Sequence, residues 1–210
     1  MDLQQAIETT NTCRFFKPDP VPRDVLRRAL SAARFAPSGG NRQPVRFVVV
    51  TDRALREQLA ALYLPRWQAY VGAMTRGGIR VDTLPAMIRN ADHFANHLAN
   101  VPALVVVGAR LADCYATDTE LGRLSVVGGA SIYPAVQNFL LGCRAEGLGT
   151  ALTTLLVAEE PKIKPLLGFP DEIATAAFIA VGWPEKPFPK RLRRRELDEF
   201  CFANRFGQPL

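Results

Sequence analysis

Three short apolar segments, well separated along the chain, constrain the fold most strongly. They cover residues 45–51, 103–108 and 174–181, and the first is rich in β-branched side chains. Apolar runs of this length predict buried strands, and they are far shorter than the roughly 20 residues that a bilayer-spanning helix needs. The stretches before and between them have helical spacing, as in residues 25–33 and 84–100. Because helices and strands alternate but the strands are few, we expect one α+β domain with helices over a modest sheet.

The spacing of the other apolar residues predicts five further helices, over residues 3–11, 53–62, 84–100, 126–146 and 159–167. The stretch 126–146 is expected to be the longest, with Pro134 near its start or kinking it. Glycines in residues 67–82 predict a connector, and residues 150–156 are expected to be extended.

The positive charge of the chain is concentrated in one place. Lys and Arg outnumber Asp and Glu by 26 to 20, but residues 186–195 contain six basic residues and no acidic one. A nucleic-acid-binding face would spread its basic charge more widely and interleave aromatic residues, so we expect no nucleic-acid partner. A solvated surface and a phosphate-binding segment both remain open for this patch. It lies in a Pro- and Arg-rich tail, residues 183–210, of what we expect to be a single domain over residues 1–210.

Two further patterns concern the cellular compartment and metal binding. The N-terminal residues lack the basic and apolar regions of an export signal, and no Cys-x-x-Cys occurs among Cys13, Cys114, Cys143 and Cys201. We therefore expect a cytoplasmic protein with free thiols and no membrane partner. His93 and His97 stand four apart, a spacing that can chelate a metal, but Phe94 takes the place of the glutamate in the zinc motif. We expect no metal site.

The most informative segment is residues 37–44, Pro-Ser-Gly-Gly-Asn-Arg-Gln-Pro. Adjacent glycines, amides and a serine offer hydrogen-bond donors and acceptors and let a ligand approach the backbone closely. A ligand-binding loop and a plain helix-to-strand connector both fit this composition. The sequence has no Gly-x-Gly-x-x-Gly after a strand, no P-loop motif and no nucleophile elbow, so a Rossmann dinucleotide site is not predicted.

Several parts of the chain, in the correct order, together resemble the nitroreductase family of flavoproteins. They are CRFFKPDPVP at residues 13–22, APSGGNRQP at 36–44, the GLGT and Thr-Thr segment at 147–154, LLGFP at 166–170 and GWP at 182–184. The resemblance implies an α+β nitroreductase-like fold, with a small, mostly antiparallel sheet flanked by helices. It also implies an intertwined homodimer with FMN between the subunits, in which the tail of residues 183–210 wraps around the partner.

The resemblance further implies which residues bind FMN. The N-terminal motif that holds the phosphate, the ribityl chain and the pyrimidine edge is matched by Thr12 and Arg14. The loop that reaches the isoalloxazine, in the family usually from the partner subunit, is matched by Pro37, Ser38, Gly39, Asn41 and Gln43. The segment along the dimethylbenzene and N5 side of the ring is matched by Leu152, Thr153 and Thr154. The tail arginines that grip the phosphate are matched by Arg193 and Arg194.

The function implied is ping-pong hydride transfer from NAD(P)H through FMN to a nitro, quinone or enone acceptor. No dinucleotide fold is needed for this, because the nicotinamide only visits the flavin. Alternatives are a flavin-consuming enzyme or a metabolite-specific dehydrogenase of the same fold, and a flavin-binding protein without turnover. From a different class, the basic run Arg191–Arg195 leaves a nucleic-acid-binding protein as an alternative.

Overall fold

The structure is a computed structural model that describes residues 1–75 and 81–210. These residues form six α-helices and four β-strands. In chain order the elements are α1 (Leu3–Thr9), α2 (Arg23–Ala33), β1 (Val45–Val50), α3 (Arg53–Met74), α4 (Ala86–Asn96), β2 (Ala103–Arg110), α5 (Tyr133–Ala145), β3 (Gly149–Thr153), α6 (Glu160–Leu167) and β4 (Ile173–Gly182).

The four strands form one sheet in the order β1-β2-β4-β3, and each neighbouring pair is antiparallel. Alternate side chains of the central strand β2 enter two apolar layers. Val105 and Val107 pack with α2 and α5 on one face, and Leu104 and Val106 pack with α3 and α4 on the other. Burial on both faces explains why β2 reads as a continuous apolar run. The prediction of an α+β fold with a small antiparallel sheet flanked by helices is confirmed.

Helices α2 and α5 approach each other closely on the first of these faces. A Cβ atom added to Gly142 of α5 would lie 2.5 Å from the carbonyl oxygen of Ala29 in α2. This contact leaves no room for a side chain at Gly142. It fixes the C-terminal half of α5 against the domain, and α5 in turn contacts α1.

The prediction of a connector over residues 67–82 was wrong for its first part, because α3 continues through Pro65 to Met74. Tyr63, Trp67 and Val71 lie four residues apart and are buried against α4 and the sheet. Burial of this stripe outweighs the backbone hydrogen bond that a proline removes from a helix. Residues 76–80 of the predicted connector lie outside the described part of the chain.

The prediction that residues 126–146 form the longest helix was also wrong, because α5 begins only at Tyr133 and α3 is longer. Gly128 and Gly129 precede α5 in a series of turns. Pro134 occupies the first turn of the helix, where its missing N–H has no partner to lose. It therefore starts the helix and does not kink it.

The extended segment expected over residues 150–156 ends earlier, at Thr153. The hydroxyl of Thr153 accepts a hydrogen bond from the backbone N–H of Leu155 at 3.3 Å, and a short 3-10 helix, Leu155–Glu159, follows. A local side-chain bond of this kind turns the chain away from the sheet. In the described ranges no helix is both long and apolar enough to cross a lipid bilayer.

Candidate active site

The N-terminal segment of residues 12–17 lies along the β3 edge of the sheet. Thr12 forms a parallel bridge with Thr150, and the backbone N–H of Cys13 donates to the carbonyl of Thr150 at 2.7 Å. Further along, the segment pairs in antiparallel fashion with residues 183–185, which follow β4. Backbone pairing on two sides therefore fixes the position of Arg14, which lies between these contacts.

Arg14 is a half-buried cation in an aromatic environment. Its guanidinium carbon lies 5.1 Å from the centroid of the Phe94 ring of α4. Burial lowers the pKa of Arg14, and electrostatic interaction with Tyr63 and Cys13 opposes that effect. No carboxylate in the described part of the chain forms an ion pair with Arg14. An arginine remains charged even so, which makes its N–H donors available to an anionic group.

Tyr63 connects Arg14 to the end of β3. The residue is 2% exposed, and its hydroxyl interacts with the side chain of Thr153. Burial raises the pKa of Tyr63, while the Thr153 hydrogen bond and the charge of Arg14 act in the opposite direction. Leu152 is half-buried against the α2 and α5 layer, and Thr154 is exposed. The structure thus brings Thr12, Arg14 and the segment Leu152–Thr154 together at one edge of the sheet.

The loop of residues 37–43 is held in an unusual backbone conformation. Asn41 and Gln43 have positive φ angles of 52° and 50°, a region that non-glycine residues seldom adopt. Two serine hydroxyls hold it there: Ser131 accepts from the N–H of Gly39 and Ser38 accepts from the N–H of Gln43, each at 3.0 Å. Backbone strain of this type is concentrated at functional sites. The conformation of the loop is compatible with the ligand-binding alternative, which stays a prediction.

Two open clefts border this loop, and Pro37 and Ser38 contribute to both. One, of about 540 Å³, lies against α2 and β1. The other, of about 480 Å³, lies against residues 113–131 and includes the exposed ring of Tyr115. The predicted residues Gly39, Asn41 and Gln43 are likewise exposed, so the loop faces outward from its own chain.

The predicted site residues fall into two groups at opposite edges of the sheet. The loop of residues 37–43 leads into β1, whereas Arg14 and Thr153 lie beside β3. Strand pairing puts Thr153, the end of β3, level with Val48, three residues after the start of β1. With neighbouring strands about 4.8 Å apart, three steps separate β1 from β3 by roughly 14 Å. Within one chain, the width of the sheet therefore lies between the two groups.

The first part of the tail packs on its own chain. The N–H of Leu192 donates to the carbonyl of Glu8 in α1 at 2.8 Å, and Arg191 lies 3.6 Å from the Glu8 carboxylate. Arg193 and Arg194 follow directly and are exposed, with Arg194 donating to the carbonyl of Arg193 at 2.9 Å. These two predicted residues therefore follow directly on the contact of the tail with the last turn of α1.

The two histidines are engaged in packing. Their rings stack with centroids 4.1 Å apart, and Nδ1 of His97 lies 2.7 Å from the carbonyl oxygen of His93. Phe15 stacks on the other side of His93 at 4.6 Å. In residues 1–75 and 81–210 no group of three or more potential metal-binding side chains occurs.

Two residues beside Arg14 were not predicted as part of the site, Tyr63 and Phe94. Both belong to apolar helix faces, and their closeness to Arg14 depends on how α3 and α4 pack. The only sequence signal was the four-residue spacing of apolar residues that continues past residue 62. This spacing would have extended α3 but would not have linked it to Arg14.

The chain is similar to proteins of known type over most of its length. It is 28% identical over 200 residues to an NADH dehydrogenase of Thermus thermophilus, covering 90% of each chain. It is 28% identical over 203 residues to a 5,6-dimethylbenzimidazole synthase of Rhodospirillum rubrum, covering 94% of this chain and 87% of the relative.

A solved structure shares the fold of this chain, and a family profile classifies it. A nitroreductase with bound FMN from Desulfitobacterium hafniense superimposes with a TM-score of 0.69, at 20% identity, covering 95% of this chain and 97% of the other. That likeness shows the fold. The profile of the nitroreductase family matches residues 7–183, which include both groups of predicted flavin-site residues except the tail arginines. The chain belongs to the nitroreductase family.

Proposed function

We propose that this protein is an FMN-dependent oxidoreductase that transfers hydride from NAD(P)H through FMN to a small nitro, quinone or enone acceptor. Family membership supports the flavin chemistry, and the FMN-bound structure of the same fold supports the choice of cofactor. The relative named NADH dehydrogenase supports a nicotinamide donor. The observation that carries the proposal is Arg14, a half-buried cation beside β3 that forms no ion pair with any residue of 1–75 or 81–210. It lies within the part of the chain that the family profile matches.

The donor set fits FMN at both of its polar ends. The phosphate carries nearly two negative charges and suits the hydroxyl of Thr12 with the exposed guanidinium groups of Arg193 and Arg194. A reduced flavin ring gains negative charge at its pyrimidine edge, and Arg14 offers the cation for that edge. The strained loop of residues 37–43 offers backbone N–H groups and amides to a flat polar ring.

The mechanism that we propose assigns positioning and electrostatic roles to the side chains. FMN, when bound, supplies the hydride-accepting and hydride-donating chemistry. Arg14 is held against Phe94 and Tyr63, so its charge is already in place and needs no rearrangement during the reaction. Tyr63 also fixes Thr153 at the end of β3. No side-chain acid or base is required, since hydride transfer depends on how donor and acceptor are placed.

We further propose that the working form is a homodimer with shared sites. The two groups of site residues flank strands β1 and β3, which lie roughly 14 Å apart in one chain by strand spacing, and a second copy could bring its loop of residues 37–43 to the β3 edge. Large apolar side chains are exposed over a wide area, as expected for a surface that is covered in an assembly. Those near the loop and in the tail are Phe35, Tyr115, Leu121, Leu124, Phe200 and Phe206.

Steady-state kinetics test the proposed reaction. With NADH or NADPH and a quinone varied together, we expect parallel double-reciprocal lines, because the donor leaves before the acceptor binds. The flavin should be recovered intact after many turnovers. Intersecting lines with one shared complex, or no turnover by FMN-loaded protein with any of the three acceptor classes, would contradict the proposal.

A synthase-type reaction that consumes the flavin is the second candidate, because one relative is a 5,6-dimethylbenzimidazole synthase. Mass spectrometry separates the two. The protein is reduced with NADH in air, and the total flavin and any dimethylbenzimidazole are then measured. Loss of FMN with formation of dimethylbenzimidazole supports this candidate, and constant FMN supports the reductase.

A further inference from the structure

Arg144, in the last turn of α5, is a buried cation with an unusual set of contacts. The residue is 9% exposed. Its Nε donates to the Thr9 hydroxyl at 2.9 Å, and its guanidinium carbon lies 3.8 Å from the centroid of the Phe188 ring. Neither contact supplies negative charge. Burial lowers the pKa of Arg144, and no acidic group opposes this effect.

The carboxylates nearest to Arg144 along the chain and on α1 are engaged elsewhere. Glu146 pairs with Arg28 at 2.9 Å, and Glu8 faces Arg191 at 3.6 Å. The C-terminal dipole of α5 and the face of Phe188 compensate for only part of the cost of burying a charge. Arg144 therefore carries a positive charge that the described part of the chain does not neutralise.

The free donors of Arg144 lie in the plane of its guanidinium group. The Phe188 ring lies against the group, and in the described part of the chain no side-chain nitrogen without a partner is buried away from solvent. Within the described ranges, the hydrogen bond to Thr9 is the only one that Arg144 makes. Its two terminal nitrogens, Nη1 and Nη2, are thus available to a group that the chain itself does not provide.

The surroundings of Arg144 indicate what that group is. Thr9 begins the neutral polar stretch Thr9–Thr12, and Phe188 belongs to the tail that reaches α1 through Leu192 and continues into Arg193 and Arg194. Arg144 thus lies between the C-terminal turn of α1 and the basic tail. A group that suits several arginines and neighbouring hydroxyls is a phosphate monoester dianion.

We propose that Arg144 is a phosphate-binding residue, which donates from its terminal nitrogens to the FMN phosphate together with Thr12 and the tail arginines. This role rests on the proposed FMN function. Arg144 is a buried cation that contacts Thr9 and Phe188. It would bind the phosphate together with Arg193 and Arg194, which are exposed. In this arrangement Arg144 positions the phosphate, and the tail arginines bind the phosphate from the solvent side.

The test compares FMN with riboflavin, which lacks the phosphate, on deflavinated protein. Arg144→Met removes the charge and keeps most of the volume. The matched control is Arg56→Met, since Arg56 is also an arginine that donates within the chain, to the carbonyls of Ala99 and Val101 at 2.6 Å each, but on the α3 side of the domain. Arg144→Met is expected to weaken FMN about tenfold to a hundredfold and to leave riboflavin within about threefold of wild type. Arg56→Met should leave the ratio of the two affinities unchanged.

Inorganic phosphate provides a second readout. It should raise the unfolding temperature of the deflavinated wild type and raise that of Arg144→Met less. If Arg144→Met does not fold, Arg144→Lys is used. A loss of FMN affinity that is smaller than about tenfold, with riboflavin affinity unchanged, then supports the role. An equal loss for FMN and riboflavin, or unchanged FMN affinity, would overturn it while leaving the FMN function intact. Wild-type protein that binds neither flavin would overturn both.

Discussion

The guanidinium carbon of Arg14 lies 5.1 Å from the centroid of the Phe94 ring. A contact of this type contributes about 0.5–2 kcal/mol, depending on exposure, and leaves the charge of the arginine unneutralised. An ion pair would also have fixed the side chain, but it would have cancelled the field that a flavin edge requires. The helix layer of α3 and α4 therefore acts as an apolar support for a free cation.

Replacement of Arg14 by alanine is expected to weaken FMN binding and slow flavin reduction by NAD(P)H. Loss of one charge-assisted hydrogen bond costs about 1.5–3 kcal/mol, which is roughly a tenfold to hundredfold change in affinity. Fluorescence titration of the deflavinated variant with FMN measures this. Arg53→Ala, which removes an exposed arginine paired with Glu57, is the control. An FMN titration that Arg14→Ala leaves unchanged would remove Arg14 from the site.

Shared sites predict that two defective subunits can complement each other. Arg14→Ala damages the β3 side of a site, and Asn41→Ala damages the loop side through the lost amide and a backbone φ of 52° that alanine disfavours. Each homodimer should retain little FMN. A heterodimer carries one site with both sides intact and should bind about half of the wild-type FMN. Co-expression with two affinity tags provides the heterodimer.

Light scattering supplies the control for complementation. A stable, FMN-loaded monomer at low micromolar concentration would contradict the shared site. A heterodimer that retains no more FMN than the two homodimers would contradict it too, provided that all three are dimeric in solution.

Neutralising Arg193 and Arg194 together is expected to weaken FMN far more than riboflavin. The difference should shrink as salt rises, because screening weakens the same interaction in the wild type. Arg205→Gln, in the same tail, is the control for a general loss of basic charge. Unchanged affinity for both ligands would indicate a solvated surface. Loss of a steeply salt-dependent affinity for DNA or RNA, with FMN binding intact, would indicate a nucleic-acid role.

The hydrogen bonds of the Asp118 carboxylate predict that the folded protein loses stability at acidic pH. Its carboxylate accepts hydrogen bonds from the Ser125 hydroxyl at 2.7 Å, the Val126 N–H at 2.9 Å and Arg123 at 2.8 Å. These bonds, the one from Ser125 first, lower the pKa of Asp118. A lowered pKa in the folded state means that the contribution to stability is complete above the unfolded value of about 3.9. It is lost as the pH falls through the folded value.

The variant Asp118→Asn should therefore be less stable than the wild type at neutral pH. The gap in the free energy of unfolding should narrow as the pH falls below about 4, since the wild-type carboxyl is then protonated as well. Urea denaturation at several pH values measures both. A gap that stays constant over this range would show that the charge of Asp118 contributes nothing.

The three apolar segments were located correctly from sequence, as β1, β2 and β4, because continuous β-branched and apolar residues have few alternatives to a buried strand. Helix boundaries were less predictable. Pro65 was accommodated in α3 because the helix buries Tyr63, Trp67 and Val71, which is a property of the packed molecule. The helix propensity of single residues does not reveal that tertiary packing offsets the effect of a proline.

The segments that match the family were recognised from motifs, and their role in a flavin site stays a prediction. Their arrangement in space was not predicted. That residues 37–43 and Arg14 lie at opposite edges depends on the strand order β1-β2-β4-β3, which brings β4 between β2 and β3. The contacts of Arg14 with Phe94 and of Arg144 with Thr9 join residues that are far apart in sequence. Such pairings follow from topology and packing, and no local pattern indicates them.

Anaerobic visible spectroscopy of the purified protein tests the FMN-dependent function most directly. The protein should be yellow as isolated or after addition of FMN, and NADH or NADPH should bleach the flavin absorption without oxygen. A quinone should then restore the original spectrum, with one reduced quinone formed for each flavin reoxidised. Protein that stays colourless in the presence of excess FMN, or bound flavin that neither nicotinamide bleaches, would contradict the proposed function.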